Sequence, residues 1–69
     1  MLGGNELRQA ILTLMREISK TKKQIHKNEV FGMLQGRAER EVFEAEMQGL
    51  QDDGDICQSF DADNFFLVD

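Results

Sequence analysis

The sequence predicts a small α+β domain, three helices followed by a β-hairpin, and three observations carry that prediction. Ala38, Val42, Phe43, Met47 and Leu50 recur at helical spacing, so they share one side of a helix. Gly54 follows the polar run Gln51-Asp52-Asp53 and suits the left-handed position that closes many helices. Beyond it, residues 55–60 and 65–68 read as short strands around Asp61-Ala62-Asp63-Asn64, a run of turn-forming residues.

Taken in order, residues 1–6 read as a linker or remnant and residues 7–69 as the domain. Asn5 is placed to cap a first helix, with Glu6 in the first turn where it complements the helix dipole. Leu7, Ile11, Leu14, Met15 and Ile18 then mark about four turns of helix, with Leu12 beside that stripe. Residues 19–23 are polar and basic and read as a connector. Gln24-Ile25-His26 is predicted as a very short strand that pairs with the hairpin. Asn28 is placed to cap a second helix carrying Val30, Phe31, Met33 and Leu34, ended by Gly36. Gly32 inside that helix weakens it by about 1 kcal/mol relative to alanine, which suggests close packing there. Short helix, glycine turn and longer helix make a helix-turn-helix. With the C-terminal hairpin as a wing, the order is that of a winged helix. The expected core is Leu7, Ile11, Leu14, Ile18, Ile25, Val30, Leu34, Val42, Phe43, Met47, Leu50 and Ile56.

Composition narrows the function. The 69 residues suit one domain, 41% hydrophobic and 30% charged, as in an ordinary soluble fold. No apolar run approaches the roughly 20 residues of a membrane span, and no basic stretch leads into the apolar core of a secretory signal. The single Cys57 has no partner for an internal disulfide, which fits a reducing nuclear or cytoplasmic setting. Charge is divided along the chain. Residues 1–30 carry +3, and residues 31–69 carry −8, within a total of −5. A basic patch at one end and an acidic face at the other are the expected result.

No catalytic, metal or cofactor pattern stands out, so the isolated domain is expected to be no enzyme and to need no cofactor. The chain has one histidine, one cysteine and no glycine-rich phosphate loop. His26 reads as a partly exposed residue at a strand edge, and Cys57 as an inert strand thiol. Asp52, Asp53, Asp55, Asp61 and Asp63 lack the alternation and terminal glutamate of a calcium loop, and read as a solvated acidic surface.

The third helix decides the class of partner. Reading DNA from that helix requires outward Arg, Lys, Asn or Gln. Here the outward residues include Glu39, Glu41, Glu44 and Glu46 against Arg37 and Arg40, and the wing adds Asp61 and Asp63. Such a surface repels phosphate and suits a basic protein segment instead. Glu41, Glu44, Asp61 and Asp63 are the expected charged contacts, with Phe60 or Phe66 as an apolar anchor. Strand alternation sends Phe65 and Phe66 to opposite faces, so one of them is core. Lys20, Lys22, Lys23 and Lys27 are candidate phosphate contacts for weak DNA binding, or else a solvated connector.

Two families share these residues. Leu14-Met15-Arg16-Glu17, the run from Phe43 to Asp53 and the ending Phe65-Phe66-Leu67-Val68 resemble the C-terminal winged helix of minichromosome maintenance replicative helicases, most closely the third eukaryotic subunit. That resemblance implies an accessory domain of the DNA replication machinery, monomeric in isolation within a hexameric parent. It also implies that the ATPase lies elsewhere, and a nuclear location (or cytoplasmic in an archaeon). Leu50, Gly54, Ile56, Ser59, Asp61, Asp63 and Phe65 also resemble the C-terminal winged helix of the replication protein A middle subunit. That second resemblance implies an adaptor for basic helices of repair proteins. Either way the implied partner is a replication or repair protein with a basic segment, with DNA contact weak or indirect and no membrane.

Overall fold

Residues 1–68 are described by a computed structural model. Six elements follow in the order α1 (Gly4–Ser19), β1 (Ile25–His26), α2 (Lys27–Met33), α3 (Arg40–Asp52), β2 (Ile56–Gln58) and β3 (Asn64–Leu67). This is an α+β fold of three helices and one three-stranded antiparallel sheet, compatible with a winged helix. The sheet order is β1-β3-β2, which puts the last strand in the centre. Ile25 lies opposite Phe65 and Ile56 opposite Leu67, so the two-residue β1 does pair with the hairpin.

The first helix starts earlier than the sequence suggests. Gly3 is the N-cap residue, and residues 4–6, expected as linker, form the first turn. Asn5 therefore lies inside α1 instead of capping it. The preceding segment is tied down: the Leu2 N–H donates to the Arg37 carbonyl at 2.6 Å, and the Leu2 side chain packs against the core. The buried stripe of α1 is also shifted. Leu7, Ile11, Leu12, Met15 and Ile18 are buried, whereas Leu14 is only half-buried. Because α1 packs against α2, α3, β1 and β3, its covered arc is wide and extends toward Leu12, leaving Leu14 at the margin.

Local chemistry also sets the other helix ends. His26, not Asn28, caps α2, its Nδ1 accepting the Asn28 N–H at 3.0 Å. The helix stops at Met33, before Gly36, because Gln35 and Gly36 both adopt left-handed backbone. Gly32 is exposed and a Cβ there would meet nothing, so it serves no close packing. α3 begins one residue after its N-cap Glu39, so the buried Ala38 precedes the helix. Val42 is exposed and not core, since its neighbour Phe43 takes the inward direction and adjacent helical residues point about 100° apart. Phe43 is fully buried and meets the Phe31 ring at a centroid distance of 5.1 Å and a tilt of 59°.

The end of α3 matches expectation. Gly54 has φ +81°, its N–H donates to the Gln51 carbonyl, and the Asp55 N–H reaches back to Leu50. These two bonds form a Schellman motif, which satisfies carbonyls the helix leaves open. β2 is shorter than predicted, losing Asp55, Ser59 and Phe60, whereas β3 keeps four residues but is shifted by one, to Asn64–Leu67. The Ser59 N–H donates to the Asn64 carbonyl at 2.8 Å, and Asp61 Oδ1 accepts the Asp63 N–H at 2.9 Å. Phe65 is buried and Phe66 faces out, which settles their alternation. The core therefore gains Leu12, Met15, Ala38 and Phe65 and loses Leu14 and Val42 from the expected set.

Two stability predictions follow from this packing. Phe43→Ala should cost about 3–5 kcal/mol by the usual large-to-small core values. That approaches the whole stability expected of so small a domain, so circular dichroism should find the variant largely unfolded at room temperature. The glycines should respond with opposite signs. Gly32→Ala should stabilise α2 by up to about 1 kcal/mol, whereas Gly54→Ala should cost about 1 kcal/mol by forcing a Cβ into left-handed backbone. Urea titration of the two variants beside the wild type checks both.

Candidate functional site

Lys27 stands at the start of α2, where it joins the helical part of the fold to the hairpin. Its N–H donates to the Asp63 carbonyl at 2.8 Å. Its Nζ donates to Glu44 Oε1 at 3.2 Å and lies 3.5 Å from Asp63 Oδ1, with the side chain only 21% exposed. Three residues singled out from the sequence thus converge, but on one another. Glu44 and Asp63 neutralise Lys27, which leaves it an internal tether and no free phosphate contact. Glu44 is further engaged, because its Oε2 accepts from Arg40 Nε at 2.9 Å. Arg40 also donates to Asn28 Oδ1 at 2.7 Å and lies over the Phe31 and Phe43 rings, 4.8 and 5.6 Å from their centroids. Its guanidinium therefore bridges α2 and α3 at the surface, with the side chain still 42% exposed.

What α3 leaves to solvent is mostly acidic, with Arg40 its one exposed cation. Glu39, Glu41, Val42, Ala45, Gln48 and Asp52 are exposed. Glu41 has no ion pair among the described residues, and Asp52 accepts only from the Gln48 amide at 3.1 Å. In the hairpin loop Asp61 is exposed, with one oxygen held by the Asp63 N–H.

The aromatic candidates lie elsewhere, on the outer face of the sheet. Phe66 sits opposite the exposed Cys57, and Phe60 projects fully into solvent from the hairpin loop. Both line a shallow groove with Gln24, Gln58 and Ser59. Lys22 and Lys23 of the connector border this region. Lys20 pairs with Glu17 at 3.3 Å and Lys22 with Glu29 at 3.1 Å, both at the surface, while Lys23 has no ion pair among the described residues. Of the expected anchors, Phe66 thus shares a depression with Lys22 and Lys23, and Phe60 lies further along with no carboxylate of α3 lining either depression.

One contact was not legible in the sequence. Arg8 of α1 donates to Glu46 Oε1 at 3.0 Å and to Asp53 Oδ2 at 2.6 Å, clamping α1 across α3. A Cβ at Gly49 would run into the Arg8 guanidinium, so that glycine makes room for the clamp. These partners are far apart in the chain, and a glycine inside a helical pattern was the only available signal of a close approach. Among the described residues no three His, Cys, Asp or Glu side chains gather to hold a metal ion, and no helix is long and apolar enough to cross a membrane.

The tether has a salt signature. Lys27→Met should lower stability by about 1 kcal/mol at low ionic strength, because Asp63 and part of Glu44 lose their counter-charge. The difference should shrink in about 1 M salt, where the screening length falls to about 3 Å. Thermal melts of both proteins at two salt concentrations measure it.

No protein-family model, no curated protein and no solved structure matches the chain.

Proposed function

We propose that the domain is a non-catalytic docking module of winged-helix type that recognises a basic protein segment through the solvent face of α3. The observation that carries this reading is the charge left open on that face. Glu39, Glu41 and Asp52 face water, whereas Arg40 is held by Glu44, Asn28 and two aromatic rings. Phosphate is repelled there, and release of counterions from DNA, the usual source of nucleic-acid affinity, is not available to acidic side chains. A segment carrying Lys or Arg meets complementary charge, which speeds encounter and fixes orientation. Val42 and Ala45 supply a small apolar strip between the carboxylates. The order α1-β1-α2-α3-β2-β3, with β3 central, supports the winged-helix assignment.

The biological setting in this proposal rests on the likeness of residues 14–17, 43–53 and 65–68 to the helicase accessory domain. It places the module in DNA replication, in the nucleus or in an archaeal cytoplasm, with the catalytic parts of the machine on other polypeptide segments. Within the expected contact set, Glu41 and Asp61 remain open, while Glu44 and Asp63 act first within the fold.

An NMR titration separates this reading from DNA recognition. Amide shifts with a basic helical peptide should cluster on residues 39–52, and Glu41→Lys with Asp52→Lys should weaken binding about tenfold, mainly by slowing association. A DNA duplex should bind more weakly than about 10⁻⁴ M at physiological salt. Micromolar duplex binding centred on α3 would overturn the proposal.

A further inference from the structure

The sheet's outer face and the connector before β1 form a second surface of opposite character. Two adjoining depressions share Gln24 and Phe66 and so make one continuous groove. The first, about 450 Å³, is lined by Ser19, Lys22, Lys23, Gln24, Phe66 and Leu67. The second, about 360 Å³, runs on past Gln58 and Ser59 to Phe60. Lys22 and Lys23 mark one end and Phe60 the other, with Phe66 between them in both depressions. No carboxylate lines either depression, in a chain whose net charge is −5.

We propose that this groove docks an extended partner segment that is acidic at one end and apolar at the other. Its carboxylates meet Lys22 and Lys23, and its apolar side chains cover Phe66 and Phe60. The aromatic end supplies the apolar contact. Phe60 is fully exposed and Phe66 is 40% exposed, so covering the two rings removes a large apolar area from water. The basic end supplies direction. Lys23 has no ion pair among the described residues, and the Lys22–Glu29 pair is exposed enough to exchange for an incoming carboxylate at little cost. Gln24 and Gln58 lie along the groove between. Gln58 Nε2 donates to the Ala62 carbonyl at 3.1 Å, which leaves its Oε1 and the Gln24 amide for the backbone of an extended chain.

The same charges argue for a peptide over a single-stranded nucleic acid. A strand laid along the groove carries a phosphate at every nucleotide. Beyond Phe60 the next side chain is the exposed Asp61, which has no ion pair among the described residues. Phosphates at that end meet this carboxylate, whereas a peptide that changes from acidic to apolar along its length brings no charge against it. This surface is separate from the solvent face of α3, so either docking proposal can fail without the other.

The test uses a fluorescein-labelled short peptide bearing three glutamates followed by leucine and phenylalanine, read by anisotropy and by amide shifts. Controls are the same peptide with lysines for glutamates, and a short oligothymidine. The acidic peptide should bind, with shifts on residues 19–24, 57–60 and 66–67. Lys22→Glu with Lys23→Glu should weaken it about tenfold or more, as should Phe66→Ala, and added salt should weaken it several-fold. Neither change touches the buried core, and circular dichroism confirms that each variant is folded. Four results would overturn the proposal: no binding at millimolar peptide, equal binding of the lysine control, shifts centred on α3, or tighter binding of the oligothymidine.

Discussion

The packing of α1 against the rest of the chain is the constraint on which the structure depends. Its buried stripe from Leu7 to Ile18 is the common floor under α2, α3, β1 and β3. A domain this small buries a modest share of its surface, so no second apolar layer exists to take over if that floor is lost. The polar contacts are arranged around the same helix. Arg8 extends from it over Gly49 to Glu46 and Asp53, fixing where α3 crosses. The roles of Phe43 and Phe65 follow as well, since each fills space over α1 that its neighbour in sequence cannot reach.

Period and turn chemistry were legible in the sequence because they are local. The alternation of Phe65 and Phe66, the glycine stop at Gly54 and the short strand expected over Gln24-Ile25-His26 depend on residues a few positions apart, and each appears in the fold, the strand at Ile25–His26. What could not be read was set by distant partners. Leu14 and Leu12 fit a helical stripe about equally well until the width of the covering layer decides between them. Asn28 has the better capping side chain, but His26 is anchored by strand pairing to β3 and so stands where a cap is needed. The early start of α1 depends on Arg37, far along the chain, accepting the Leu2 N–H.

The candidate contacts divide for the same reason. Sequence charge correctly marks α3 as acidic, yet it does not distinguish a carboxylate open to water from one already held. Glu44 and Glu41 are three residues apart, and only the approach of Lys27 and Arg40 separates their roles. Likewise Phe60 and the carboxylates of its own loop are neighbours in sequence but serve different faces. The result is a domain with an acidic helix face and a separate lysine-bordered aromatic groove, a division that the opposite charge of the two halves of the chain foreshadows.

The central place of β3 in the sheet has a consequence for how the fold is completed. β1 and β2 are both made before the strand that joins them, and neither touches the other in the sheet order. During synthesis the helices can collapse on one another while two strands wait with their hydrogen-bonding edges open. Residues 64–67 supply the partner edge for both. Removing this short stretch would take away the middle of the sheet and not a margin of it, leaving β1 and β2 as separate unpaired segments.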